Sequence, residues 1–133
     1  MAPKDIVQVV TDPEAFRAQV EDETSRKLHL VDVYTEWCGP CQQMIPTFKG
    51  LQLNIDAFED RVTITQIPLD VFHAACALPE PKIPLKAEDF PSTSQPRFLF
   101  FRDGQLLDDI KGAHAPRILK TINEQMPGME NEE

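Results

Sequence analysis

The sequence predicts an α/β fold: a mixed central sheet of about five strands with helices on both faces. Three observations carry this. Two strand-like runs, 6–10 and 28–34, are separated by a helical stretch, the pattern of crossover-connected strands. A Cys-x-x-Cys pair, Cys38 and Cys41, sits where the second run gives way to a helical segment. In the second half, two further runs flank Asp103-Gly104, a dipeptide that favours a tight hairpin. The order β-α-β-α-β-loop-β-β-α winds the first half by crossovers and ends the second in a hairpin.

Each element has a local cause. Residues 6–10 are rich in β-branched side chains, which suit a strand. Thr11-Asp12-Pro13-Glu14 then starts a helix, with a capping oxygen, proline in the first turn and an acid near the positive end of the dipole. This helix is expected to run to about Ser25, with Phe16 and Val20 on its inner face and Glu21-Asp22-Glu23 as a solvated end. Residues 28–34 are almost continuously apolar, as in a central strand covered on both faces. The next helix takes its apolar side from Met44, Ile45, Phe48, Leu51 and Ile55 and fades near Asp60. Pro46 is expected to kink it by removing a hydrogen bond. A third strand follows at 61–67, then a short helix at 69–78. Within it Cys76 reads as a small apolar residue and His73 as a surface or capping histidine.

The segment 79–95 holds Pro79, Pro81, Pro84 and Pro91, so it cannot be a regular helix or a central strand. It reads as a long loop of the functional or disordered kind, with Ile83 and Phe90 as anchors. After Pro96, strands at 97–102 and 105–111 enclose the Asp103-Gly104 turn, and Gly112 ends the second. Ala115-Pro116 opens a last helix with Ile118, Leu119, Ile122 and Met126 along its apolar face. An acidic tail, 127–133, is expected to fray from Met126 onward.

The chemistry is concentrated in Trp37-Cys38-Gly39-Pro40-Cys41. Cys38 falls at a helix start, where unpaired N–H groups and the dipole favour an anion and so lower the thiol pKa. Gly39 permits close backbone approach, and Pro40 suits the first turn. Cys41, one turn on, points inward. Cys38 is therefore the attacking sulfur and Cys41 the resolving one. A zinc site would need two further Cys or His ligands at matching spacing, and Cys76, His29, His73 and His114 supply no such pair, so the redox reading is favoured over metal. Asp32 interrupts the apolar strand six residues before Cys38. Buried beneath the dithiol, its pKa would rise and it could accept a proton from Cys41. The alternative is a carboxylate satisfied by water or backbone donors, and spacing leaves the two open.

At 133 residues the chain is the size of one domain, 1–133, with 41% hydrophobic and 26% charged residues. A formal net charge of −9 disfavours both nucleic acid and anionic membranes as partners. Met1-Ala2-Pro3-Lys4-Asp5 leads into a short strand rather than a long apolar run, so no secretory signal is expected, and no stretch reaches transmembrane length. Three cysteines, an odd number, fit a reducing, cytoplasmic compartment. No glycine-rich phosphate loop is present, and no cofactor is expected.

From Ile6 to about Gln125 these residues resemble the thioredoxin family. Trp37-Cys38-Gly39-Pro40-Cys41 matches its active-site sequence, Asp32 its buried acid and Pro46 its helix proline. Pro96 matches the cis-proline that faces the dithiol and binds extended substrate chains, and Gly104 and Gly112 match its hairpin and post-strand glycines. The resemblance implies a thioredoxin fold, catalytic Cys38, Cys41 and Asp32, a redox disulfide between Cys38 and Cys41, and a substrate-facing surface of Trp37, Gly39, Pro40, Gln95 and Pro96. There are departures. Gln66 stands where the family usually has a lysine near the buried acid, and Gln42 where a lysine commonly follows the second cysteine. Gln95-Pro96-Arg97 replaces an apolar-Pro-Thr segment, and the 79–95 loop lengthens the span from Cys41 to Pro96.

Within the family the sequence is most similar to thioredoxin-like light chains of axonemal outer-arm dynein, and resembles thioredoxin domains fused to nucleoside diphosphate kinase modules in cilia. The runs behind this are Val31-Asp32-Val33-Tyr34, Arg97-Phe98-Leu99-Phe100-Phe101 and Lys111-Gly112-Ala113-His114-Ala115-Pro116. That likeness implies protein partners such as a dynein heavy chain or other axonemal subunits, in a cilium or flagellum. A free cytosolic disulfide reductase recycled by a thioredoxin reductase is the alternative, and an adaptor with vestigial cysteines a third.

Overall fold

The computed structural model describes residues 7–24, 26–35, 44–92 and 96–127. Five strands form one sheet in the order β1-β3-β2-β4-β5. β1 (Val7–Val9), β2 (Leu28–Tyr34) and β3 (Val62–Pro68) are parallel to one another. β4 (Arg97–Arg102) runs antiparallel to β2, and β5 (Gln105–Lys111) antiparallel to β4. The expected mixed sheet, crossovers first and hairpin last, is what the chain forms.

Strand side chains alternate between faces, and this alternation divides the core in two. Leu28 and Leu30 of β2, Ile64 of β3 and Phe98 and Phe100 of β4 face one side. There they meet Met44 and Phe48 beside α2 (Ile45–Asn54), Phe58 of α3 (Phe58–Arg61) and Ile118 and Ile122 of α5 (Ala115–Gln125). Val31, Val33, Ile67, Leu99 and Phe101 face the other side. They pack on Phe16 and Val20 of α1 (Pro13–Glu21) and on Phe72 and Ala75 of α4 (Leu69–Cys76), with Ile83 and Phe90 of the proline-rich segment completing the layer. Phe72 is the hub of an edge-to-face stack, 5.7 Å from Phe16 and 4.6 Å from Phe90 between ring centroids.

Several expectations are corrected. α1 stops at Glu21, short of Ser25, because Asp22 turns extended and its Oδ1 accepts bonds from the Thr24 backbone N–H (2.8 Å) and hydroxyl (2.6 Å). Asp12 caps the other end as expected, accepting from the Glu14 N–H. Pro46 lies in the first turn of α2 among the described residues, and the stretch before Met44 against which a kink would show lies outside them. The helix does not run on to Asp60. Ile55 is extended, Ala57 takes φ +53°, and the chain re-enters a helix that puts Phe58 into the core with no exposure. The tail does not fray at Met126: its N–H bonds to the Ile122 carbonyl, its side chain packs on the core, and the Pro127 carbonyl accepts from Arg61. The residues beyond Pro127 lie outside the described ones.

The hairpin turn has positive φ at Asp103 (55°) and Gly104 (72°), as a two-residue primed turn requires. A bulge between Phe100 and Phe101 shifts the β4–β5 register, so that Phe100 opposes Asp108 and Arg97 opposes Lys111.

Candidate functional site

Asp32 has the same alternation parity as Leu28 and Leu30, so it faces the α2 side of the sheet. It pairs with Gln66 on β3 and Phe98 on β4 in strand register. Only 1% of it is exposed. The Gln66 side-chain amide donates to Oδ2 at 3.3 Å, and among the described residues Oδ1 has no partner. Burial pushes the carboxyl up from 3.8 to about 7, with the Gln66 amide pulling weakly the other way. A neutral amide stabilises a carboxylate less than an ammonium would. The departure from lysine at position 66 therefore has a physical consequence: near neutral pH a large share of Asp32 carries its proton.

β2 ends at Tyr34, and Trp37, Cys38, Gly39, Pro40 and Cys41 follow it outside the described residues, as does Gln95 with its peptide bond to Pro96. Pro96 itself is buried at the entrance to β4, and its carbonyl accepts from the Gly112 N–H at 2.8 Å. Gly112 has φ +85°, a conformation that glycine adopts without a Cβ penalty. The described residues thus bring together the buried acid, the end of β2 and the start of β4, which bracket the dithiol segment in sequence.

Next to them, on the opposite face from Asp32, lies a pocket of about 140 Å³. Val33, Leu69, Phe90, Pro91 and Pro96 give it apolar walls. Thr35, Asp89, Arg97 and Lys111 edge it. Arg97 is the organising residue. Its Nε and Nη2 donate to Asp109 Oδ1 (2.7 Å) and Oδ2 (2.6 Å), its Nη1 donates to the Asp89 carbonyl at 2.6 Å, and its guanidinium lies 4.2 Å from the centre of the Phe90 ring.

The loop is held at its far end too. Glu21 Oε2 accepts from the backbone N–H groups of Lys82 (2.8 Å) and Ile83 (3.3 Å), while Oε1 pairs with Arg17 at 3.0 Å. Burial opposes the charge on Glu21, but Arg17 and the two amides hold its carboxyl below the usual range. Arg17 also donates to the Glu80 carbonyl. Glu21 is therefore a clamp and not the solvated helix end expected of it. His73, expected as a surface or capping histidine, is half-buried in the last turn of α4, and its Nε2 lies 2.7 Å from the Phe90 carbonyl. Ile83 and Phe90 anchor the loop as anticipated, at 7% and 4% exposure, and a 3-10 turn, Ala87–Asp89, lies between them. Cys76 fits its reading as an apolar residue, since burial raises its thiol to about 11.

Sequence reasoning missed Arg97, Glu21 and His73 as loop holders. The hairpin alone carried a signal for Arg97, because positions 97 and 109 lie diagonally across β4 and β5 on one face.

A parallel β1-β3-β2 half, an antiparallel β4-β5 hairpin and a buried acid on the central strand β2 define a mixed α/β class. The chain belongs to the thioredoxin family: the Thioredoxin family model matches residues 7–124. Thioredoxin domain-containing protein 6 of Homo sapiens is 32% identical over 103 residues, which are 77% of this chain and 27% of that protein. The dynein 16 kDa light chain of the flagellar outer arm of Chlamydomonas reinhardtii is 32% identical over 95 residues, 71% of this chain and 54% of that one. The chain thus spans about a quarter of the first relative and about half of the second. The solved thioredoxin NaTrxh from Nicotiana alata shares the fold with a TM-score of 0.68 at 20% identity, over 96% of this chain and 98% of that chain.

Proposed function

We propose that this chain is a thioredoxin-like light chain of an axonemal outer-arm dynein, using Cys38 and Cys41 for thiol-disulfide exchange with a protein partner. The observation that carries the chemistry is Asp32, buried on the α2 side with a carboxyl that titrates near neutrality. The likeness to the flagellar outer-arm light chain supports the setting.

In the exchange, the Cys38 thiolate attacks one sulfur of a partner disulfide. That bond breaks, a mixed disulfide forms and the other partner sulfur leaves as a thiolate. Cys41, whose proton Asp32 accepts, then attacks Cys38 and releases the second partner sulfur. Two electrons pass to the partner, which ends as a dithiol, and the chain holds a Cys38–Cys41 disulfide. Trp37, Gly39, Pro40, Gln95 and Pro96 face the incoming chain, and no metal or cofactor takes part. The partners in this reading are a dynein heavy chain or other axonemal subunits, in a cilium or flagellum.

A Cys41→Ser variant tests it. With the resolving sulfur gone, a partner should stay on Cys38 as a reducible adduct, and high-salt extraction of axonemes should release the chain together with dynein heavy chains. A folded variant that captures nothing, or a chain found wholly in the soluble pool, contradicts the reading. The unbroken Cys38-Gly39-Pro40-Cys41 sequence favours a second reading, a free cytosolic reductase recycled by a thioredoxin reductase. Sustained turnover of an insulin-type disulfide with that reductase, without axonemal association, would select it.

A further inference from the structure

We propose that Arg97 is a specificity-positioning residue. It holds Asp89, Phe90 and Pro91 as one wall of the pocket beside Pro96, so that the pocket accepts a single apolar side chain from an extended segment of the protein being exchanged. This rests on the dithiol reading above.

The argument begins with reach. Thr35 directly precedes the segment that holds the dithiol, Pro96 opens β4, and both line the pocket. A polypeptide whose sulfur meets Cys38 lies within a few residues of it. The pocket's size sets the occupant. At about 140 Å³ it is close to engineered cavities of roughly 150 Å³ that take up benzene. One leucine, methionine or phenylalanine side chain fits that space. Its walls set the chemistry: Val33, Leu69, Phe90, Pro91 and Pro96 offer carbon. The Arg97 charge at its edge is already matched by Asp109 through two short bonds. The other two charges at the edge, Asp89 and Lys111, offset one another, so a carboxylate entering there loses its water for little net gain, whereas an apolar group is favoured by leaving water.

The wall does not stand without Arg97. Asp89 and Phe90 belong to a proline-rich loop rather than to the sheet, and Arg97 ties both to β4 and β5 through the Asp89 carbonyl, the Phe90 ring and Asp109. His73 holds the Phe90 carbonyl from α4, whereas the Asp89 carbonyl is held from β4 by Arg97. Loss of the guanidinium releases the Asp89 side of the pocket, and selectivity goes with it.

The experiment compares peptides that each carry one cysteine as a mixed disulfide with a chromogenic aromatic thiol. Leucine, phenylalanine or aspartate is placed in turn one and two residues to either side of the cysteine. In a single turnover the fully reduced wild-type chain should exchange with the best leucine or phenylalanine peptide with a second-order rate constant about tenfold that for its aspartate counterpart. In Arg97→Gln that ratio should fall to within about twofold. A general loss of folding lowers both rates together and leaves their ratio alone. Leu69→Trp fills the same pocket from α4 and should erase the preference with Arg97 intact. An unchanged ratio in both variants, or no preference in the wild type, overturns the proposal. If the wild type exchanges with no peptide, the dithiol reading fails instead. The pocket is then read by NMR: the Val33 and Leu69 methyls should still shift on titration with the leucine peptide blocked at its cysteine, and unmoved methyls reject the pocket.

Discussion

Asp32 and Arg97 sit one rung apart where β2 meets β4, and the protein treats them in opposite ways. Asp32 opposes Phe98 and Arg97 opposes Val33, so their side chains leave the sheet on different faces. Arg97 has a bidentate carboxylate, a carbonyl and an aromatic ring. Asp32 has a single amide at 3.3 Å and one oxygen with no partner among the described residues. A buried charge is stabilised only when it is fully paired, and otherwise it shifts its pKa and neutralises. The satisfied cation organises a wall, and the unsatisfied acid is left free to exchange a proton. A fully paired charge stands on one face and a titratable one on the other.

The comparison breaks most visibly at Asp32. Its folded-state pKa lies above the unfolded one, so between about pH 4 and pH 7 the folded chain binds more protons and stability falls as pH rises. The shift corresponds to at most about 4 kcal/mol, reached above pH 7. Asp32→Asn should remove this slope and raise stability at pH 8 by about 2–4 kcal/mol in urea unfolding, with little gain below pH 4. An Asp32→Asn variant whose stability changes between pH 5 and pH 8 just as the wild type's does would mean that the acid is satisfied after all.

Arg97→Ala tests the other side. It strands the partly buried Asp109 carboxylate and leaves the exposed Asp89 carbonyl to water, and should cost about 1–2 kcal/mol. Arg97→Lys should recover less than half, because an ammonium cannot span the carboxylate and the carbonyl in one plane. Denaturant midpoints measure both. The smallest effect belongs to the outer clamp. Glu21→Gln weakens the hold on the Lys82 and Ile83 amides and should cost about 1 kcal/mol at pH 7. Since the carboxyl of Glu21 is depressed in the folded chain, its contribution is present above the ordinary carboxylate range and disappears as pH falls through the folded value. Faster hydrogen exchange at Lys82 and Ile83, confined to the loop, is the readout.

What could be read in advance follows the range of the forces. Leu28–Tyr34, Arg97–Arg102 and Gln105–Lys111 fall where apolar runs and the Asp103-Gly104 turn put them, because period and turn chemistry act over a few residues. The break before Phe58 was not legible. Nothing local ends the helix there, and the cause is a core position for Phe58 that exists only once β3 and α5 have assembled. The loop was legible as irregular from its prolines, but not as pinned. Glu21 and Lys82 are 61 residues apart, and Arg17 and Glu80 are 63. At the candidate site, Asp32 was legible as a charge in an apolar strand. Whether it was satisfied was not, since that depended on Gln66 in a neighbouring strand.

The central claim is that two sulfurs of this chain act as a pair and the third does not. Fully reduced protein is mixed anaerobically at pH 7 with a slight excess of a chromogenic aromatic disulfide, and the released thiol and the protein mass are followed together. The account predicts two thiols released per chain, a protein lighter by two hydrogens, and Cys76 alone open to alkylation after unfolding. A lasting adduct with one thiol released, or labelling concentrated on Cys76, would contradict it.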